Sequence, residues 1–150
     1  MNELPNIFLA EDDFADFQFF VEAFKKISPL YKVTRAKNGL ECMSMLKTSI
    51  KPELIFLDLN MPGHNGIDCL KFIKSNKALA DIPVVIYSTS HYIKDIDTCF
   101  KKNAHFYIFK PASGDLLVLI LKKVIGTLHE SLQRPGKENF VVRVGATIES

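Results

Sequence analysis

The sequence has no tryptophan and only three cysteines, Cys42, Cys69 and Cys99, in 150 residues. Odd in number, far apart and outside any C-x-x-C pair, they make neither a disulfide framework nor a zinc site and read as small buried hydrophobes. A reducing, cytoplasmic setting is the expectation. An excess of one charge is also lacking, since 19 basic residues face 17 acidic ones. That balance leaves no electrostatic footprint for nucleic acid. Long hydrophobic runs are missing too. The longest aliphatic stretch, Leu116 to Leu121, is far short of a bilayer span, and the N-terminus has no positively charged leader pattern, so no membrane partner is expected. Neither G-x-x-x-x-G-K-S/T nor G-x-G-x-x-G follows the first apolar run, which removes the usual phosphate-cradling loops of nucleotide-binding folds.

What is present is an alternation. Short apolar runs, Ile7 to Ala10, Tyr31 to Ala36, Leu54 to Leu57, Val84 to Tyr87 and Phe106 to Phe109, are separated by segments of helical periodicity. Phe17, Phe20, Val21 and Phe24 define the first helix, which Ser28-Pro29 stops. Asn38-Gly39 opens the second, with Leu40, Met43, Leu46 and Ile50 on its stripe. Ile67, Leu70 and Ile73 mark the third, and Ile93, Ile96 and Phe100 the fourth. The fifth, capped by Ser113, carries Leu117, Ile120, Leu121, Val124 and Leu128. Five strands alternating with five helices predict an α/β, flavodoxin-like, doubly wound parallel sheet of order 2-1-3-4-5 with helices on both faces. Residues 5–133 form that domain, and 134–150 are a tail.

In such sheets ligands bind beyond the carboxyl ends of the strands. Glu11, Asp12 and Asp13 leave the first strand, Asp58 the third, Ser88 the fourth and Lys110 the fifth, so all fall on one edge. Carboxylates gathered this way repel unless a cation sits among them. A hard divalent ion with oxygen ligands is the natural partner, and magnesium suits an acidic cleft that meets a phosphoryl group.

The stretches IFLAEDD, LIFLDLNMPGHNG, PVVIYSTS and YIFKP, in this order, resemble the four motifs of the bacterial two-component response-regulator receiver domain, in its stand-alone, chemotaxis-regulator-like form. The resemblance covers roughly residues 5 to 130. It implies that Asp58 is the phosphoacceptor and that Glu11, Asp12, Asp58 and the Asn60 backbone carbonyl hold Mg2+. Ser88 then senses the phosphoryl group, Lys110 contacts it, and Tyr107 is the rotating aromatic coupled to Ser88. It also implies a cis Lys110-Pro111 bond. Two positions depart from the family pattern. Asn103 stands where glycine is common, although asparagine tolerates a left-handed backbone. Ser88 stands where threonine is common, keeping the hydroxyl without the methyl that restricts its rotamer.

The expected function is that of a single-domain response regulator phosphorylated on Asp58 by a sensor histidine kinase or phosphotransfer protein, signalling by conformational change and protein contact. Only self-phosphorylation and self-dephosphorylation chemistry is expected of it. An enzyme alternative, a small magnesium phosphohydrolase with an aspartyl nucleophile, needs a second aspartate two residues on. Asn60 occupies that place and cannot transfer protons near neutral pH. An unphosphorylated receiver-like interaction module is the other alternative, opposed by the intact set Glu11, Asp12, Asp58, Ser88 and Lys110. His64, His91, His105 and His129 share no metal spacing and read as surface or structural.

Three further expectations concern surfaces. Phe14 and Phe19 exceed what one helical stripe needs and form a docking surface. Val118 and Ile125, off the main stripe of the fifth helix, point to a homodimer through helix four, strand five and helix five. The run Phe140-Val141-Val142-Arg143-Val144 favours a strand covering the edge of strand five, within the chain or across a dimer, with a frayed terminus as the alternative.

Overall fold

A computed structural model describes residues 5–48 and 51–145. The chain runs β1 (Asn6–Ala10), α1 (Phe14–Ile27), β2 (Lys32–Ala36), α2 (Gly39–Thr48), β3 (Leu54–Leu57), α3 (Gly66–Ser75), β4 (Val84–Ser88), α4 (Ile93–Lys101), β5 (Phe106–Phe109) and α5 (Gly114–Glu130), followed by a 3-10 turn at Lys137–Asn139. The strands form one parallel sheet in the order β2-β1-β3-β4-β5. The predicted fold class and strand order are the observed ones.

Period-two alternation in the strands builds two cores. Ile7, Leu9, Phe56, Val85, Tyr87 and Ile108 face α1 and α5, where Phe20, Phe24, Leu117, Leu121 and Val124 meet them. Phe8, Ala10, Ile55, Leu57, Ile86 and Tyr107 face the other way, against Cys42, Leu46, Leu70, Ile73 and Cys99 of α2, α3 and α4. With both faces covered, β3 and β4 are buried at every position. The helix starts follow local capping chemistry. Asp13 and Ser113 accept the N–H groups of Asp16 and Leu116, and Asn65 and Asp68 form a capping box. All three cysteines are buried and free.

Helix phase departs from expectation in several places. Leu40 is exposed, because α2 turns Gly39, Cys42 and Leu46 inward instead. Ile50 lies outside the described residues. Ile93 is exposed at the start of α4, whose one fully buried side chain is Cys99. Phe19 is half-buried against the α1–α5 core, leaving Phe14 as the exposed aromatic of the pair. Val118 and Ile125 are likewise half-buried on that core, so they form no exposed aliphatic face; on α5 the exposed large apolar side chain is Leu119. The long α5 stripe simply wraps further around the helix than its five strongest positions show. Asn103 holds the left-handed conformation, φ 73°, expected of it. The Lys110–Pro111 bond is trans, correcting the cis form implied by resemblance. Trans is the lower-energy isomer of an X–Pro bond, by about 0.5–1 kcal/mol.

Two glycines fix the loop after β3. A Cβ on Gly66 would sit 2.4 Å from the Asp58 carbonyl oxygen and 2.8 Å from Leu59 Cα, and one on Gly39 would sit 1.9 Å from the His64 carbonyl oxygen. The Gly66 N–H donates to the Leu59 carbonyl at 3.1 Å, so α3 starts directly behind the end of β3. Gly66→Ala should lower stability by about 1–3 kcal/mol through backbone displacement. Urea unfolding of the variant checks this, and a change within about 0.5 kcal/mol would show that α3 shifts freely.

Candidate functional site

Parallel register places the strand ends side by side. Ala10 pairs with Leu57 and Ser88 with Phe109, so Glu11, Asp58 and Lys110 emerge together at the carboxyl edge. The Asp58 N–H donates to the Ala10 carbonyl at 3.0 Å and the Lys110 N–H to the Ser88 carbonyl at 2.9 Å, continuing the sheet bonding through the site residues.

Lys110 Nζ lies 2.8 Å from Glu11 Oε1, 3.0 Å from Asp16 Oδ2 and 3.5 Å from Asp58 Oδ2. Glu11 and Asp58 are buried while Asp12 is exposed. One oxygen each from Glu11, Asp12 and Asp58 fits within 4.8 Å. Burial pushes the Glu11 carboxyl up to about 7, with the Asp58 charge adding and Lys110 opposing. Burial also holds Asp58 above the ordinary carboxylate range, against Lys110 and the Asn60 N–H, which donates to Asp58 Oδ1 at 3.2 Å. Burial alone would pull Lys110 down, but its hydrogen bond to Glu11 and the charges of Asp58 and Glu11 hold it above its ordinary value. One ammonium therefore leaves the carboxylates under-compensated. This all-oxygen donor set, with Glu11 poised to lose its proton near neutrality, fits a hard divalent cation.

A second group adjoins the first. Ser88 is buried at the end of β4, and its Oγ accepts the Ser90 N–H at 3.0 Å. The ring of Tyr107 is fully buried, and its hydroxyl donates to the Ser90 carbonyl at 2.9 Å. Ser90 Oγ donates to Asp95 on α4 at 2.6 Å and accepts the Tyr92 N–H at 3.2 Å. The loop after β4 thus joins Ser88, Tyr107 and the first turn of α4.

Glu11, Asp12, Asp58, Ser88 and Lys110 are gathered at one edge as expected, with Tyr107 turned inward beneath it. Three contributors escaped the sequence reading. Asp16 reaches Lys110 from the first turn of α1; its spacing after the capping Asp13 was the available signal. Arg35, at the end of β2, donates from Nε to the Glu11 carbonyl at 3.0 Å and from Nη2 to the Asp12 carbonyl at 2.9 Å. Its guanidinium also lies 5.4 Å from the Phe14 ring centroid and 5.5 Å from that of Phe17. Ser90 acts through its backbone and hydroxyl, which no side-chain motif marks. The four histidines stay apart; His105 is buried, with Nε2 at 3.0 Å from the Leu132 carbonyl.

A buried aspartate beside a lysine, an acidic cation pocket and a serine–aromatic pair at consecutive ends of a 2-1-3-4-5 sheet define a phosphoryl-receiving signalling module as a class. Residues 7–122 match the response regulator receiver domain model, and the chain belongs to that family. It is 34% identical over 110 residues to response regulator Rcp1 of Synechocystis sp., covering 69% of this chain and 75% of Rcp1. It is 30% identical over 95 residues to the chemotaxis protein CheY1 of Helicobacter pylori, covering 63% of this chain and 77% of CheY1. Among solved structures, the phosphorylated cyanobacterial phytochrome response regulator RcpA superimposes with a TM-score of 0.77 at 33% identity, covering 88% of this chain and 99% of that one. The Mn2+-bound form of Rcp1 gives a TM-score of 0.75 at 29% identity, with the same coverage. Receiver domains receive phosphoryl groups from histidine kinases and bind a divalent metal in an acidic pocket. No helix among the described residues is long and apolar enough to cross a membrane.

Protonated Glu11 competes with a cation for its own oxygens. Divalent-ion affinity should therefore rise with pH up to about 7 and level off above it, with proton release on binding near neutrality. Calorimetric titration at several pH values, in buffers of different ionisation enthalpy, checks this. Glu11→Gln should lose both affinity and proton release.

Proposed function

We propose that residues 5–133 are the receiver domain of a cytoplasmic response regulator that takes a phosphoryl group on Asp58 from a histidine kinase or phosphotransfer protein, with residues 134–150 as a tail. The observation that carries the reading is Asp58 itself, buried at the strand end, within 3.5 Å of Lys110 and beside the Glu11–Asp12 pair. A carboxylate oxygen of Asp58 attacks phosphorus, the bond from phosphorus to the donor imidazole nitrogen breaks, and its electron pair returns to the imidazole. Lys110 offers its ammonium to the phosphoryl oxygens, and the Asn60 N–H keeps the carboxylate oriented.

Glu11, Asp12, Asp58 and the Asn60 carbonyl would hold Mg2+, which when bound supplies positive charge to the transferring phosphoryl oxygens. The Ser88 hydroxyl gives up the Ser90 N–H to donate to the new phosphoryl group, and Tyr107 loses its Ser90 anchor as that loop moves. Phosphorylation thereby shifts a population between two arrangements of the β4–α4 loop. Output passes through protein contact at the face of α4, β5 and α5.

Asp58→Asn should abolish magnesium-dependent incorporation of one phosphoryl group from acetyl phosphate while the fold persists, as read by intact-protein mass spectrometry. Unchanged incorporation would move the acceptor elsewhere. Asp12→Ala should weaken magnesium binding by about tenfold or more. Ser88→Ala should still be phosphorylated but lose most of the NMR shift changes in α4 and β5, and retention of the full changes would remove the hydroxyl from the switch.

A further inference from the structure

β5 ends the sheet, and an edge strand leaves backbone groups for another chain to pair with. Here residues 134–144 lie across that edge. Arg134 fastens the beginning of the segment: its guanidinium donates to the Phe100 carbonyl at 2.7 Å, the Ala104 carbonyl at 2.9 Å and Asn103 Oδ1 at 3.3 Å. It also stacks 4.6 Å from the Phe100 ring centroid. Lys137 pairs with Asp97 of α4, and Lys123 of α5 donates to the Arg143 carbonyl. Between these anchors Phe140 is fully buried, edge-on to Phe100 at 5.3 Å and to Tyr107 at 6.2 Å.

The backbone contact falls on one residue. The Tyr107 N–H donates to the Phe140 carbonyl at 3.0 Å, and the Tyr107 carbonyl accepts the Val142 N–H at 2.9 Å. Residue 141 forms a single parallel bridge there instead of the five-residue strand expected over 140–144. Phe140 enters the α4-side core and Val142 the α5-side core, so the segment crosses the edge and closes both layers. Its α5 side is incompletely packed, with a cavity of about 320 Å³ between it and Phe106, Val124 and Thr127. The segment is thus held by Arg134 at its beginning, by Phe140 in the core and by one pair of backbone bonds at Tyr107, with open space left on its α5 side.

We propose that residues 134–144 are an intramolecular strap that occupies the α4–β5–α5 face and holds Tyr107 inward, so that a second copy of the chain reaches the β5 edge only after the strap is released. The residue gripped by the strap's backbone is the one whose hydroxyl binds the Ser90 carbonyl, so movement at either contact is felt at the other. Coupling of release to phosphorylation rests on the Asp58 reading; the strap does not.

Amide hydrogen exchange of the full chain, read by NMR at low and high micromolar concentration, tests the strap directly. The Tyr107 and Val142 amides should be protected equally at both concentrations. In Phe140→Ala their exchange should accelerate at least about tenfold, while the Asp58 and Lys110 amides, bonded within the sheet, stay protected. Val142→Pro removes the one N–H that the Tyr107 carbonyl accepts, together with the Val142 packing on the α5-side core, and should raise self-association in sedimentation velocity. An unprotected Tyr107 amide at every concentration would dispose of the strap. Protection that grows with concentration would show the segment exchanged between copies instead. With acetyl phosphate, faster Tyr107 exchange is expected only where Asp58 incorporates a phosphoryl group. Incorporation without a change in exchange overturns the coupling alone, and failure of incorporation overturns the Asp58 reading while the strap stands.

Discussion

Lys110 stands among Glu11, Asp16 and Asp58 with its ammonium at hydrogen-bonding or close ion-pairing distance from all three. Removing such a charge from water is costly unless partners surround it, and the partners are as costly to bury without it. The site is therefore held together by an imbalance: each group is tolerated because of the others, and the set as a whole carries more negative charge than its single lysine offsets. Burial, with the Asp58 charge adding to it, keeps Glu11 near its protonation midpoint at neutrality, and the excess negative charge makes the cleft receptive to a cation. Arg35 belongs to the same logic from below, binding the carbonyls of the acidic stretch and not its carboxylates, so that it orders the backbone without quenching the charge.

The surrounding architecture supplies the geometry that this imbalance requires. A parallel sheet brings all carboxyl ends of its strands to one edge, and the fully buried β3 and β4 leave those ends little freedom. Close approach of Gly66 to the Asp58 carbonyl and of Gly39 to the His64 carbonyl then clamps the loop behind Asp58. Position is the main thing a protein can contribute to phosphoryl transfer, where there is little covalent chemistry for side chains to perform.

The strands, their order and Glu11, Asp58, Ser88 and Lys110 were legible because short continuous apolar runs that give way to polar residues mark strand ends, and a parallel sheet converts strand ends into a site. Asp16 and Arg35 were not, because their roles depend on the angle at which α1 leaves the sheet and on β1–β2 pairing, neither of which a one-dimensional spacing encodes. Helix phase was legible only where large residues dominate. In α2 the inward positions include Gly39 and Cys42, too small to advertise themselves, and Leu40 drew the stripe to the wrong side. On α5 the hydrophobic surface is wide enough that Val118 and Ile125 serve the core as well, which a five-residue stripe does not show. The tail's affinity for β5 was readable from its β-branched run, but its reduction to a single bridge was not, since that reflects Phe140 and Val142 diverging into different layers.

The first turn of α4 has an unusual dependence. It is the shortest of the five α-helices, nine residues, and its own N-cap, Tyr92, makes no side-chain cap. Short helices are marginal without tertiary support or caps. Ser90, two residues earlier, stands in by accepting the Tyr92 N–H and donating to Asp95, and Ser90 is itself tethered to Ser88 Oγ. The nucleation of this helix is thus delegated to the loop that reports on the cleft. Loss of the bond between Ser88 Oγ and the Ser90 N–H would therefore withdraw support from the first turn of α4, and its consequence would be a difference in helix order more than in the position of an element.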